Sequence, residues 1–258
     1  MEKKVRLMGI VNLNDDSFYA PSRADSSEAA LSRAAKLLAE GADILDFGAC
    51  STRPGSKGIG ADEEWRRLEP ALKAVREAFP KANISIDTYW SEVVRKAYDL
   101  IGPFLVNDIS AGAMDPKMLR TAGALGLPYV AMHMRGTPET MQGLTDYGGD
   151  IMDSIKAYFE EFERKAAEVG IHEWILDPGF GFAKTREQNW EVLERLGELR
   201  CFERPILVGL SRKSMFGVKA EDALEATLNA QRIAVSNGAS HLRVHDVALT
   251  RESLYSSI

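Results

Sequence analysis

The side chains best able to do chemistry in this sequence stand directly after short apolar runs. Each of eight such runs is followed by a residue or loop that can form hydrogen bonds. In chain order these are Asn12, the Ser51-Thr52-Arg53 loop, Asp87, Asn107, His133, Asp177, the Ser211-Arg212-Lys213 loop and His245. Asp and Asn also start turns and cap helices, so any one of them alone has a structural explanation. Their recurrence after all eight runs favours a functional site.

Carboxylates and amides together suit a flat nitrogen heterocycle. A carboxylate such as Asp87 or Asp177 accepts two N–H bonds from an amidine-like edge, whereas the Asn107 amide donates one bond and accepts one. The three side chains therefore indicate a ligand that presents ring nitrogens and an exocyclic amino group.

Positive charge is expected at the same place. Arg53, Lys213, Arg243 and His245 would supply cationic groups of the kind that bind phosphate or pyrophosphate. Asn12 offers an oxygen to Mg²⁺, which usually takes few protein ligands in addition to substrate phosphates. The residues alone thus predict an enzyme that acts on a nitrogen heterocycle carrying a pyrophosphate.

The elements that must position these residues form a repeating unit of a short apolar run, a polar loop and a segment with helical spacing. The apolar runs are Leu7–Val11, Ile44–Phe47, Ile84–Ile86, Phe104–Val106, Tyr129–Met132, Trp174–Leu176, Ile206–Val208 and Leu242–Val244. Their lengths suit buried parallel strands. Of the helices, the one that follows Asp62 contains Pro70, which is expected to kink it or to break it in two.

Eight strand–helix units predict an α/β fold closed into a (β/α)8 TIM barrel, a single domain over residues 1–258. An open doubly wound sheet is the structural alternative. In such a barrel the active site lies at the carboxyl ends of the strands, where the polar residues stand.

Composition limits the functions to consider. The net charge of −6 over 258 residues does not indicate the basic face that a duplex-binding protein would be expected to carry. No apolar run approaches the ~20 residues that span a membrane, and no signal peptide is expected at the N-terminus. The two cysteines, Cys50 and Cys201, are expected to be free thiols in a cytoplasmic protein. For Cys50, a buried small filler is preferred to an exposed reactive thiol.

Motifs along nearly the whole chain resemble the dihydropteroate synthase family of pterin-binding enzymes. The matching stretches are Met8-Gly9-Ile10-Val11-Asn12, Asp16-Ser17-Phe18, Ser51-Thr52-Arg53-Pro54-Gly55, Ser85-Ile86-Asp87-Thr88, Asn107-Asp108-Ile109, His133-Met134-Arg135-Gly136-Thr137-Pro138, Asp177-Pro178-Gly179-Phe180-Gly181-Phe182, Ser211-Arg212-Lys213-Ser214 and Arg243-Val244-His245-Asp246. They occur in family order, one set at each strand end. The sequence departs from the family at Asn14-Asp15, where Thr-Pro is usual, and at Ala49-Cys50, where Gly-Glu is usual.

The resemblance implies a role for each motif residue. The pterin would be bound by Asp87, Asn107, Ile109, Met132, Asp177, Phe182 and Lys213. The pyrophosphate would be bound by Asn12, Arg53, Arg243 and His245, with Asn12 as the ligand of a Mg²⁺ cofactor. The p-aminobenzoate would contact Phe18, Thr52, Pro54, Phe182, Lys213 and Ser214, its carboxylate lying at a helix N-terminus that begins at Ser214. The residues closest to the chemistry would be Asp87, Lys213, Arg53 and His245.

The reaction implied by the resemblance joins 6-hydroxymethyl-7,8-dihydropterin pyrophosphate to p-aminobenzoate in folate synthesis. Pyrophosphate leaves first and the amine then attacks, in an SN1-like reaction that depends on positioning and placed charge. The resemblance also implies a transferase that is a homodimer and a sulfonamide target. Two alternatives stay open: a folate-dependent corrinoid methyltransferase and a non-catalytic pterin-binding paralogue. His133 is expected to have a structural role rather than a catalytic one.

Overall fold

The structure is a computed structural model, and it describes residues 4–13, 23–50 and 58–255. Eight parallel strands form one sheet in the order β6-β5-β4-β3-β2-β1-β8-β7. The strands are β1 (Arg6–Asn12), β2 (Ile44–Gly48), β3 (Ile84–Asp87), β4 (Leu105–Asp108), β5 (Tyr129–Met132), β6 (Trp174–Asp177), β7 (Leu207–Val208) and β8 (His241–Val244).

The sheet closes between β6 and β7. A parallel bridge joins Leu176 to Ile206, and the Leu176 N–H donates to the Pro205 carbonyl at 2.9 Å. Since β7 has only two ladder residues, this seam is the thinnest part of the wall. Closure nevertheless confirms the barrel and excludes the open doubly wound sheet.

Eight α-helices surround the barrel in the part of the chain that the structure describes. They are α1 (Arg23–Ala39), α2 (Ala61–Ala78), α3 (Ser91–Ile101), α4 (Met118–Ala124), α5 (Ile151–Val169), α6 (Arg186–Glu194), α7 (Leu224–Ser236) and α8 (Val247–Tyr255). Short 3-10 turns cover Met141–Gly143, Leu196–Phe202, Ser214–Phe216 and Ala220–Asp222. None of the described helices is long and apolar enough to cross a membrane.

Two apolar layers hold the barrel together. Alternate strand residues face outward and pack against the helices, where they form the large core. The inward-facing Met8, Ile44, Leu105, Val130 and Leu207 form a separate buried cluster. This plug supports the polar residues that lie one step further along each strand.

Helix α2 continues through Pro70, so of the two predicted outcomes, a kink or a break, the break does not occur. Proline in a helix interior costs about 3 kcal/mol because it removes one hydrogen bond and crowds the preceding turn. Leu68, Ala71 and Leu72 are buried on both sides of it. We attribute the continuity to this packing, which holds the helix on the barrel.

The strands also extend further than their apolar residues. Asp87 and Asp177 end β3 and β6, and Asn107 lies inside β4. The predicted strands are shorter because an apolar pattern does not include the polar residues at the end of a strand. In a closed barrel the inward side chains at the carboxyl end face a ligand cavity, so polar residues fit there without leaving the strand.

A buried hydrogen-bond cluster around Asp108 fixes the loop that follows β4. Its carboxylate accepts bonds from the Ser110 N–H at 2.8 Å, the Ser110 hydroxyl at 2.7 Å and the Gly112 N–H at 2.7 Å. The hydroxyl of Tyr129 on β5 also donates to it. The carboxylate thus joins two adjacent strands.

We expect Tyr129→Phe to lower the free energy of unfolding by about 1.5–3 kcal/mol, because it removes one charge-assisted hydrogen bond from a buried carboxylate. Urea unfolding would measure the change. Tyr255→Phe, at a tyrosine that is 40% exposed, is the matched control and should change stability little. Equal stabilities of Tyr129→Phe and the wild type would show that Asp108 does not depend on this bond.

Candidate active site

Charged residues from β2, β3 and β8 meet inside the carboxyl end of the barrel. The Arg243 Nε donates to Asp46 at 2.6 Å, and its Nη2 donates to Asp87 at 2.8 Å. The Asn107 amide donates to both Asp46 oxygens at 3.2 and 3.3 Å. Asp46 is fully buried, so Arg243 balances a charge that water cannot reach.

The electrostatics of this cluster follow from burial and pairing. Burial opposes the charge on Arg243, but Asp46 and Asp87 together raise its pKa, so it remains a cation. Burial raises the pKa of Asp87, while Arg243 acts in the opposite direction. The cluster therefore places Asp87, whose pKa depends on burial and on Arg243, next to an arginine that stays charged.

Asp177 ends β6 and faces the same space. It is 7% exposed, and its Oδ1 accepts the Gly179 N–H at 2.8 Å. Gly179 has a φ of +70°, and a Cβ there would lie 2.0 Å from the His133 carbonyl oxygen. Only glycine allows this close turn. The second oxygen of Asp177 forms no hydrogen bond with any described residue.

Lys213 lies across from Asp177. Its ammonium group sits 4.6 Å from the centroid of the Phe182 ring, a cation–π contact. Burial lowers its pKa to about 8, and the Asp177 carboxylate limits the fall. Lys213 therefore keeps most of its charge at neutral pH while packing against an aromatic ring.

An apolar wall borders these polar groups. Its buried members are Tyr89, Ile109, Met132, Met134, Met141, Phe182 and Ala183. A cavity of about 340 Å³ borders this wall at Tyr89 and is also lined by Trp90 and Met114, but none of the polar residues described above lines it. The combination of apolar walls with a few converging polar groups is typical of sites for flat organic ligands.

His245 carries less charge than the sequence suggested. Burial, followed by the nearby Arg243 and Arg212, lowers its pKa to about 4, so the imidazole is neutral at pH 7. Its Nδ1 lies 2.9 Å from the Ser211 hydroxyl. His245 is therefore a hydrogen-bonding group, and the expectation of a standing positive charge there was wrong.

Arg243 also differs from the expectation of a cation free for pyrophosphate. Its guanidinium is engaged by Asp46 and Asp87, and its side chain is 23% exposed. The physical reason is that two buried carboxylates compete for it at hydrogen-bond distance. Only its remaining N–H groups are available to a ligand.

Asn12 ends β1 at the mouth of the barrel, and its side-chain amide forms no hydrogen bond with the residues described. Its oxygen is a hard donor of the type that Mg²⁺ takes. No group of three or more His, Cys, Asp or Glu side chains that could hold a metal occurs within the described ranges. The donor set fits a cation bound mainly through substrate phosphates and poorly fits a cage of protein ligands.

His133 takes part in a structural network. Its Nδ1 lies 3.0 Å from the Nζ of Lys184, which also donates to the carbonyls of Gly179 at 3.0 Å and Phe182 at 3.1 Å. Lys184 is 4% exposed. The lysine thus ties the end of β5 to the loop that carries Phe182, which agrees with the expected structural role of His133.

Several predicted residues stand apart from this geometry. Phe18, Thr52, Arg53 and Pro54 lie outside the described residues. Ser214 is exposed and begins a three-residue 3-10 turn, so the helix N-terminus expected there is a single short turn. The reason is Gly217, whose φ of +69° ends the turn at once.

The sequence reasoning missed three buried ionisable residues, Asp46, Glu64 and Lys184. Asp46 is a carboxylate inside the apolar run Ile44–Phe47, and the apolar pattern of that run predicts only that Asp46 belongs to a strand. Lys184 lies just beyond a recognised motif. Glu64 lies at the helical spacing of the buried face of α2, four residues before Leu68 and eight before Leu72, so this spacing was a local signal of its burial.

The two cysteines form no disulfide, as predicted. Cys201 is exposed. Cys50 is half-buried with its Sγ 3.8 Å from the Tyr89 hydroxyl, and burial raises the pKa of its thiol. This position agrees better with the filler role than with a reactive thiol.

Glu64 should make stability depend on pH. It is fully buried, neither of its oxygens has a well-formed hydrogen bond among the described residues, and burial raises its pKa to about 8. The folded state then holds a proton that the unfolded state releases near pH 4.5. Stability from this group is full below that pH and is lost as the pH rises towards 8.

We expect Glu64→Gln to match the wild type at pH 5 and to be more stable by about 2–4 kcal/mol at pH 8, at about 1.4 kcal/mol per pKa unit. Urea unfolding at several pH values would measure this difference. Glu69→Gln, on the exposed side of the same helix, is the control. Parallel pH profiles of Glu64→Gln and the wild type would contradict the assignment.

Comparison with known proteins identifies the family. The model of the family described as pterin binding enzyme matches residues 8–245. Dihydropteroate synthase of Escherichia coli is 38% identical over 96% of this chain and 89% of its own length. The folic acid synthesis protein fol1 of Pneumocystis carinii is 42% identical over 93% of this chain, which spans 34% of that longer protein.

Solved structures agree with this assignment. A dihydropteroate synthase from Clostridium difficile, determined in the presence of pteroic acid, superposes with a TM-score of 0.91 at 35% identity. The match covers 99% of this chain and 96% of the other. Fold, motif order and sequence identity lead to the same conclusion: the chain belongs to the family of pterin-binding enzymes.

Proposed function

We propose that this protein is a dihydropteroate synthase, which joins 6-hydroxymethyl-7,8-dihydropterin pyrophosphate to p-aminobenzoate and releases pyrophosphate in folate synthesis. The observation that carries the proposal is Asp177, a buried carboxylate with one oxygen open to a ligand beside an apolar wall. A pterin presents to such a carboxylate an amino group and a ring N–H, which it can accept together.

The pterin would lie between Asp177 and the Asp87–Asn107 side of the cluster. Ile109, Met132 and Phe182 belong to or border the apolar wall and would contact the two faces of the ring. Lys213 would donate to the pterin carbonyl while its stem lies beside the aminobenzoate. The aminobenzoate carboxylate would lie near Ser214, with Phe18, Thr52 and Pro54 closing the pocket.

The pyrophosphate would lie at the mouth of the barrel, near Asn12, Arg53 and His245. His245 would donate a hydrogen bond, and the free N–H groups of Arg243 would add to it. Asn12 would be a ligand of Mg²⁺, which supplies charge neutralisation for the departing pyrophosphate when it is bound.

The chemistry would be dissociative. The C–O bond to pyrophosphate breaks first and leaves a methylene-pterin cation. The Asp87 carboxylate would stabilise that charge, and its hydrogen bond from Arg243 supports this role by holding Asp87 in place. The aminobenzoate nitrogen then uses its lone pair to form the C–N bond to the methylene carbon, and the resulting ammonium group loses one proton to water. Positioning and placed charge supply the acceleration, so no covalent nucleophile is required.

Two rival functions would use the same pterin-binding side chains, Asp87, Asn107 and Asp177, which we call the pterin floor. A folate-dependent corrinoid methyltransferase would transfer a methyl group, and a non-catalytic paralogue would bind pterin without turnover. The retention of Lys213 beside Asp177 and of His245 at the mouth favours the synthase. The cytoplasm as location, a homodimer as assembly, and small molecules rather than nucleic acid or membrane as partners complete the proposal.

The proposal requires pyrophosphate release that depends on both substrates. We expect purified protein with Mg²⁺ to release pyrophosphate from the pterin substrate in step with formation of dihydropteroate when p-aminobenzoate is added. A coupled pyrophosphate assay together with chromatography of the product would measure both. Pterin binding without turnover would identify the paralogue, and failure to make dihydropteroate would overturn the proposal.

Asp177→Asn should weaken pterin binding by about 1.5–3 kcal/mol or more, because the amide places a donor against the donors of the ring. Calorimetric titration with a pterin that lacks the pyrophosphate would measure the loss. His245→Ala is the matched control, since it should impair pyrophosphate-dependent turnover and leave that titration nearly unchanged. Affinity of Asp177→Asn within a factor of two of the wild type would remove Asp177 from the pterin floor.

A further inference from the structure

A cavity lies at the opposite end of the barrel from the proposed active site. It measures about 700 Å³ and is lined by residues at the starts of the strands, including Ile44, Leu105 and Trp174. None of the residues assigned to the pterin, the pyrophosphate or the aminobenzoate lines it. A cavity of this size accommodates a ligand as large as two or three rings.

An unpartnered polar group lies in its wall. His241, at the start of β8, is 6% exposed, and its Nδ1 lies 2.9 Å from the Ser240 hydroxyl. Its Nε2 has no hydrogen-bond partner among the described residues. A buried donor or acceptor without a hydrogen bond is unfavourable, and a ligand that bonded to this nitrogen would offset that cost.

The Ser240 hydroxyl indicates which proton His241 carries. That hydroxyl accepts the Ile206 N–H at 3.1 Å and has one proton to donate. Its contact with the His241 Nδ1 is 2.9 Å, shorter than the 3.3 Å to the Ile206 carbonyl. The shorter contact favours donation to Nδ1, which leaves the proton of the neutral ring on Nε2. The wall therefore offers a donor.

Charge in the wall also favours an anion. Four cationic side chains line the cavity, against the two acidic ones of Glu173 and Glu203. The cations are Arg6, Arg76, Lys81 and Arg204. The side chains of Arg6 and Lys81 are exposed and form no salt bridge or hydrogen bond within the described part of the chain, so their charges are available. Arg204, in contrast, is paired with Glu163 outside the cavity lining. This local excess of positive charge occurs in a chain of net charge −6.

From these observations we propose a second ligand site at the amino-terminal end of the barrel, which binds an organic anion with an apolar body. The body would pack against the apolar strand starts, and the anionic group would accept bonds from the His241 Nε2–H and Arg6. Arg204, whose guanidinium carbon lies 5.2 Å from the Trp174 ring centroid, would border the apolar part. The site is independent of the proposed synthase activity.

The probe for this site is 8-anilino-1-naphthalenesulfonate, which joins aromatic rings to one sulfonate. Fluorescence titration of the full-length protein should show saturable binding that Arg6→Gln and His241→Phe each weaken at least fivefold. Arg120→Gln, at an exposed arginine on α4 away from the cavity, is the charge-matched control and should stay within twofold of the wild type. Lys213→Met, at the other end of the barrel, should also stay within twofold.

N-phenyl-1-naphthylamine, which lacks the sulfonate, should bind at least tenfold more weakly than the sulfonate. Arg6→Gln is a surface change, so it tests the proposal even if circular dichroism shows that His241→Phe does not fold. Loss of binding in Lys213→Met would place the probe in the proposed active site and overturn the proposal. An unchanged affinity in Arg6→Gln, or equal binding of the neutral analogue, would overturn it as well.

Discussion

The pairing of Arg243 with Asp46 and Asp87 is the constraint on which the rest of the site depends. Three charged side chains from β2, β3 and β8 share the interior of the barrel, and removing Arg243 would leave both carboxylates without their ionic partner. In the sheet, β1 lies between β8 and the pair β2 and β3, so the ion pairs also connect strands on both sides of β1. The geometry of the site therefore depends on the geometry of the barrel.

Around this pairing the protein separates groups that are already satisfied from groups that are held open. Asp46 and Asp108 are surrounded by donors, and Lys184 meets three acceptors. Asp177 and Asn12, in contrast, retain atoms without partners among the described residues. The satisfied groups fix the loops, and the open ones face the space where a ligand would lie. This division is what a site that works by positioning requires.

Burial also changes the pKa values of two basic residues of the site, Lys213 and His245. It lowers the pKa of Lys213 to about 8 and that of His245 to about 4, so one remains largely a cation while the other is a neutral donor. Two basic residues of one rim thus have different characters. Burial is the main cause of both shifts, and the two residues differ in charge because lysine has the higher ordinary pKa, 10.5 against 6.5 for histidine.

Much of this protein could be predicted from the sequence. The spacing of apolar runs predicted eight strands and their order, and parallel strands must end at one face, so Asp87, Asn107 and Asp177 were correctly placed together. Local pattern could not supply the partners. Asp46 and Arg243 are separated by 197 positions, and only closure of the sheet brings them to 2.6 Å. The same holds for Lys184 beside His133, and for the neutral state of His245, which depends on burial. Strand direction and periodicity are local properties that the amino-acid sequence determined, whereas pairing and protonation depend on distances that only the tertiary structure decided.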